Sequence, residues 1–149
     1  MKRINDYNKL KNEIVHWLQG YCQENNIQSL VIGVSGGIDS AVASSLSALT
    51  GLNTIVVGMP INQKAHQEKL SDLHMEELSS RFINVQVFKI NLTDAFNQLQ
   101  GTLDNHLVDK KNPNNLLALA NSRSRLRMLT LYHLAQLNNA IVVGTGNKV

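Results

Sequence analysis

The chain has 149 residues, 43% hydrophobic and 17% charged, with nine glycines, two prolines and one cysteine. That length suits one domain with a real core, and the composition excludes a disordered, fibrous or disulfide-stapled protein. A net charge of +3 fits an anionic small molecule as well as nucleic acid, so charge does not choose between them.

Tyr7, Leu10, Ile14, Leu18 and Tyr21 recur every three or four residues, which predicts an amphipathic helix over 6–24 that stops at Asn25-Asn26. Leu30 to Val34 is a short, β-branched apolar run and reads as a strand buried on both faces. Ile38, Ala41, Val42, Ser45, Leu46 and Leu49 then share one helical face, closed by Gly51. Thr54 to Gly58 is a second buried strand. Gln63 to Arg81 is polar and charged with Ala65, Leu70, Leu73 and Leu78 within it, and reads as a surface helix. Val85 to Ile90 is a third strand, and Thr93 is placed to cap a helix to about Leu103. Asp109 to Asn115 is a loop, Leu116 to Leu137 a long helix, and Ala140 to Gly144 a fourth strand. Apolar strands alternating with helices predict an α/β fold, a doubly wound parallel sheet with helices on both faces.

The segment Gly33-Val34-Ser35-Gly36-Gly37-Ile38-Asp39-Ser40 joins a buried strand to a helix, where open α/β sheets collect ligands. Paired glycines let the backbone turn sharply and approach a ligand closely. The free N–H groups of the first helical turn then make an anion site, to which Ser35 and Ser40 add hydroxyls. Asp39 would repel a bound phosphate unless a divalent cation stood between them, and Mg²⁺ takes a carboxylate together with phosphate oxygens. The Walker A loop is excluded because Ile38-Asp39 stand where Gly-Lys would be, and no Gly-x-Gly-x-x-Gly fingerprint occurs. The simpler alternative is a Gly-Gly turn whose serine and aspartate only cap a helix.

Ser-Gly-Gly-Ile-Asp-Ser after an apolar strand resembles the pyrophosphate loop of the N-type ATP pyrophosphatases. A second block sharpens the resemblance. Asn121-Ser122-Arg123-Ser124-Arg125-Leu126-Arg127-Met128 lies in the long helix, and Gly144-Thr145-Gly146-Asn147-Lys148 follows the fourth strand. That order resembles the NAD synthetases of the ammonia-dependent type. The resemblance implies an adenine-nucleotide α-hydrolase-like fold and a ligase that amidates deamido-NAD with ATP and ammonia through an acyl-adenylate. AMP and pyrophosphate are the by-products, and the protein would work as a cytoplasmic homodimer.

Carried over residue by residue, the resemblance implies that Gly33, Val34, Ser35, Gly36, Gly37, Ile38, Asp39 and Ser40 bind ATP. Met59 would lie beside the adenine, Thr145 would touch ATP, Asp39 would ligate Mg²⁺, and Arg125 would contact deamido-NAD. No single residue is assigned as a catalytic acid or base, because the loop acts by positioning and charge stabilisation. Arg123 and Arg127 are four apart and share a helix face while Arg125, about 200° round the axis from each, points elsewhere. A solvated basic face is the plainer reading of Arg123. The family pattern continues to a second, acidic Mg²⁺ ligand two residues beyond Lys148, past Val149. Residues 1–149 are therefore expected to be a single ATP-pyrophosphatase domain incomplete at its C-terminus, and the chain alone to fall short of full activity.

The histidines show no metal spacing, and His66 and His74 read as solvated surface. Cys22 reads as a small core residue in a reducing compartment, Trp17 as a core or interface anchor, and Phe96, Leu99 and Leu103 as core. Aromatics at 5% of residues speak against a single-stranded nucleic-acid platform, and no stretch reads as a membrane span. Two rivals stay open: another pyrophosphate-loop enzyme, such as a transfer-RNA modifier, and an inactive nucleotide-binding or dimerisation module.

Overall fold

The computed structural model describes residues 6–106 and 112–146. Residues 109–111 of the expected 109–115 loop, and Asn147 and Lys148 of the second block, lie outside the described residues. The elements are α1 (Tyr7–Glu24), β1 (Ser29–Val34), α2 (Ile38–Leu49), β2 (Asn53–Gly58), α3 (Ala65–Arg81), β3 (Val85–Lys89), α4 (Thr93–His106), α5 (Asn115–Leu137) and β4 (Ala140–Val142). Every expected element is present, and β4 is two residues shorter than its apolar run suggests.

All strands pair in parallel, in the order β3-β2-β1-β4. The chain therefore steps outward from β1 to β3 and then returns to the other side of β1. That reversal opens a crevice at the carboxyl ends of β1 and β4, where doubly wound sheets bind ligands. Alternating strand residues feed two cores. Val31, Ile55 and Val57 meet Leu92 and Phe96 of the α4 region and Ala135 of α5. Ile32, Val34 and Val56 meet Ala48 of α2 with Met75 and Leu78 of α3. Because β1 and β2 are covered on both faces, their sequences are continuous apolar runs.

The helix ends follow the local chemistry. Asp6 caps α1 by accepting the Lys9 N–H at 3.0 Å, and Asn26, with φ of 55°, turns the chain out of it. Gly51 closes α2 in the left-handed region, at φ of 74°. Asn139 adopts a similar φ of 44° after α5, and its side-chain amide donates to the Asn26 carbonyl at 3.1 Å. Two helix exits are thus tied together below the amino ends of β1 and β4.

Several side chains depart from the periodicity. The apolar face expected of α2 is turned outward: Ile38 is 74% and Val42 51% exposed. Ser40, Ser44, Ser47 and Ala48 face the sheet instead. Small residues let α2 lie close to the strands, and the serine hydroxyls donate back to carbonyls one turn earlier, which satisfies them without a partner. On α3 the buried positions are Ser71, Met75 and Leu78, with Leu70 and Leu73 exposed. Thr93 does not cap α4. Its hydroxyl accepts the Asn62 N–H at 3.2 Å, and the Asn91 side chain accepts the Thr93 N–H at 2.9 Å. Trp17 is exposed beside Tyr21, so it is no core residue. Cys22 is buried as expected.

Phe96 is fully buried, whereas Leu99 on the same helix is 40% exposed. Phe96→Ala is expected to cost about 3–5 kcal/mol in urea unfolding, and Leu99→Ala well under half of that. Equal losses would restore the expectation that both are core.

Candidate functional site: a glycine turn and an arginine-bearing helix

The β1–α2 turn runs from Gly33 to Ser40. Ser40 is buried and shapes the turn: its hydroxyl accepts the Ser35 N–H at 3.2 Å and donates to the Gly37 carbonyl at 2.9 Å. The Ser35 hydroxyl, 3.1 Å from Ser40 Oγ, accepts the Gly37 N–H at 3.3 Å and is exposed. Gly37 offers no side-chain cap to α2, so the first-turn N–H groups remain available to an anion.

Helix α3 supports this turn from behind. Gly36 has φ of 82°, and a Cβ there would sit 2.5 Å from the Gln67 carbonyl oxygen, which is backbone and cannot swing aside. Buried Ser71 donates its hydroxyl to the Val34 carbonyl at 3.1 Å, and the Gln63 side chain donates to the Ser35 carbonyl at 3.3 Å. One turn further along α3, His74 Nε2 lies 2.8 Å from the fully buried Ser44 Oγ, which donates to the Ser40 carbonyl at 2.7 Å. His74 is therefore not solvated surface. Burial holds its pKa below the ordinary histidine value, partly offset by the nearby Glu77 carboxylate.

The turn opens into a cavity of about 750 Å³ across the carboxyl ends of β1, β2 and β4. Gly33 to Gly37, Ser40, Met59 and Thr145 line it, together with Arg123, Ser124, Arg127, Met128 and Leu131 of α5. Most of the residues singled out from the sequence therefore converge. Ile38 and Asp39, exposed on the first turn of α2, are outside the lining set, as is exposed Arg125. Arg123 and Arg127 face the cavity instead, so the plain reading of Arg123 as a solvated face does not hold. Arg123 stacks its guanidinium 5.3 Å from the Phe96 ring centroid. Arg127 Nε donates to the Met59 carbonyl at 3.0 Å, and its pKa is lowered by burial and by Arg123.

Sequence reasoning missed Asn62, Gln63, Lys64 and Gln67, which also line the cavity. Their only local signal is a cluster of polar residues just after a strand end. Among the described residues no group of three or more His, Cys, Asp or Glu is arranged to hold a metal. Asp39 as a lone carboxylate suits Mg²⁺ that arrives with phosphate oxygens and keeps its waters, rather than a dedicated cage.

The NAD synthase family model matches residues 10–149. The chain belongs to the NAD synthase family. It is 31% identical over 144 residues to the NH3-dependent NAD+ synthetase of Finegoldia magna, covering 96% of this chain and 55% of that protein. It is 34% identical over 143 residues to the corresponding enzyme of Mycoplasma genitalium, covering 95% and 54%. Among solved structures it resembles the NMN synthetase of Francisella tularensis, with a TM-score of 0.83 and 32% identity over 97% of this chain and 56% of that one. The NH3-dependent NAD synthetase of Campylobacter jejuni, at 24% identity and a TM-score of 0.81, shares the fold over 97% of this chain and 58% of that one. The chain spans about half the length of the NAD synthase relatives it matches.

Two predictions test the scaffold of the site. Gly36→Ala meets both a left-handed φ and the Gln67 carbonyl, so it should lose about 1–3 kcal/mol of stability in urea unfolding. Gly37→Ala, whose Cβ would meet only Ser35 Oγ at 3.4 Å, should be close to neutral for folding. His74 binds its proton less readily when folded than when unfolded. Its contribution is thus complete above the unfolded pKa of about 6.5 and is lost as pH falls through the lower folded value. Melting temperature should drop on acidification below that pH, and His74→Gln should flatten the drop. An unchanged slope in the variant would remove His74 from the account.

Proposed function

We propose that this chain supplies the nucleotide half of an ATP-dependent, ammonia-using ligase that amidates deamido-NAD to NAD. The single observation that carries this reading is the glycine turn at the end of β1 lining one cavity with the arginine-bearing face of α5 and with Thr145. Membership of the NAD synthase family supports it.

In this reading the nicotinate carboxylate attacks the α-phosphorus of ATP, forming a carboxyl–phosphate anhydride and releasing pyrophosphate. Ammonia then attacks the activated carbonyl and, with loss of a proton, displaces AMP. The chain's own groups act by placement and charge neutralisation, which dominate phosphoryl-transfer catalysis. The α2 N–H groups and Ser35 hold the pyrophosphate, with Gly33, Val34, Gly36, Gly37, Ile38 and Ser40 shaping the turn around it. Met59 backs the adenine, and Thr145 contacts ATP at the end of β4. Asp39 would hold Mg²⁺, which neutralises the departing phosphates when bound. Arg125, outside the cavity, is assigned to the dinucleotide. The protein is proposed to act as a cytoplasmic homodimer, and the α5 side chains Leu116, Leu129 and Leu137, each at least 66% exposed, are available to that interface. Leu126 and Leu119 are not, because they pack on the core beneath α5. Among the described residues no helix is long and apolar enough to cross a membrane.

A second acceptor is favoured by one observation, the likeness to an NMN synthetase at 32% identity. Nicotinate mononucleotide carries the same reacting carboxylate on a smaller body. The test supplies the gene's full product with Mg-ATP, ammonium and either acceptor, and measures amide, AMP and pyrophosphate together. Equal yields with deamido-NAD support the proposal, and preference for the mononucleotide moves the assignment to the smaller substrate. AMP and pyrophosphate without amide would place the acceptor in another class, and no ATP cleavage would leave a binding module.

A further inference from the structure

We infer that Arg123 and Arg127 form a second phosphoryl-binding wall of the cavity, separate from the glycine turn, which grips a phosphate of a bound nucleotide through their guanidinium groups. The inference rests on the reading of this cavity as a nucleotide site and adds to it a ligand role for two residues.

Three observations carry it. Both arginines lie on one face of α5 and line the cavity, and Lys64 adds a third cation from the loop before α3. Neither arginine has a carboxylate within 4.0 Å among the described residues, and the cavity lining contains no acidic side chain. Two partly buried like charges without a counter-ion cost folding free energy, and an anion between them removes that cost. Finally, both side chains are held in place by contacts that leave their charge uncompensated. Arg123 lies over Phe96, and among the described residues Arg127 spends only its Nε–H, on the Met59 carbonyl. Its two terminal amino groups have no partner among the described residues and can make fork-like contacts to phosphate oxygens.

The wall stands on the α5 side of the sheet, while the glycine turn leads into α2 on the other side. One cavity thus offers phosphates two kinds of grip: backbone N–H groups at a helix start and a pair of guanidiniums. A phosphate monoester or diester on the wall comes either from ATP itself or from the pyridine nucleotide.

The test measures calorimetric binding of ATP, AMP, adenosine and nicotinate mononucleotide to the wild type, Arg123→Gln and Arg127→Lys, with melting curves to confirm folding. Arg127→Lys keeps the charge and loses the fork, so it separates geometry from net charge. Phosphate-bearing ligands should weaken at least about tenfold in Arg123→Gln while adenosine is unchanged. A loss confined to ATP and AMP assigns the wall to the ATP phosphates, and a loss confined to nicotinate mononucleotide assigns it to the acceptor. Inorganic phosphate should also raise the wild-type melting temperature more than chloride at equal ionic strength, and less so in Arg123→Gln. Wild-type affinity for AMP and the mononucleotide in both variants would overturn the wall and leave the glycine-turn reading intact. An equal loss with adenosine would reduce the arginines to a structural role and overturn it as well. Failure of the wild type to bind any phosphate-bearing ligand would remove both readings.

Discussion

The backbone at Gly36 passes so close to the Gln67 carbonyl that no side chain fits between them, and this contact fixes the glycine turn against α3. Around it, the Ser71 hydroxyl on the Val34 carbonyl and the Gln63 amide on the Ser35 carbonyl hold the two residues before Gly36. The turn is therefore a rigid junction, set by a neighbouring helix rather than by its own flexibility. An anion site made of backbone N–H groups needs this, because its donors cannot adjust by changing rotamer.

The same junction explains the unusual inner face of α2. A helix that begins at a ligand-facing turn and must lie close to a buried parallel sheet has little room for branched side chains. Ser40, Ser44 and Ser47 fill that face; the Ser44 and Ser47 hydroxyls donate to carbonyls within α2, and that of Ser40 to the Gly37 carbonyl at its start. The apolar residues of α2 are displaced outward as a result. His74, from α3, reaches the Ser44 hydroxyl and couples the two helices behind the turn. Stability of the turn is in this way linked to the protonation of a residue outside the cavity lining.

On the other side of the sheet α5 has two tasks that its sequence mixes together. Leu126 and Leu134 pack on the core, Arg123 and Arg127 face the cavity, and Leu129 and Leu137 stay exposed. Three faces at helical spacing leave little net amphipathicity, so periodicity alone could not sort them. Membership of the NAD synthase family agrees with an open crevice between the glycine turn and this helix.

The order of strands and helices, the doubly wound class and the glycine turn were all legible from local pattern. Continuous β-branched runs, an Asn-Asn stop and a Gly-Gly turn act over a few residues and need no distant partner. The position of Arg123 and Arg127 at the cavity, and the burial of His74 against Ser44, were not legible. Their environments come from elements 27 to 68 residues away, such as the Met59 carbonyl that accepts from Arg127. Likewise the inward face of α2 was misread because hydrophobicity ranks Ile38 and Val42 above serine, whereas closeness to the sheet selects for size. Sequence by itself determined which elements form and which turn brings paired glycines to the start of a helix. Only the tertiary structure decided which side of each helix is buried and which cations share a cavity, because packing distance and desolvation arise between elements rather than within them.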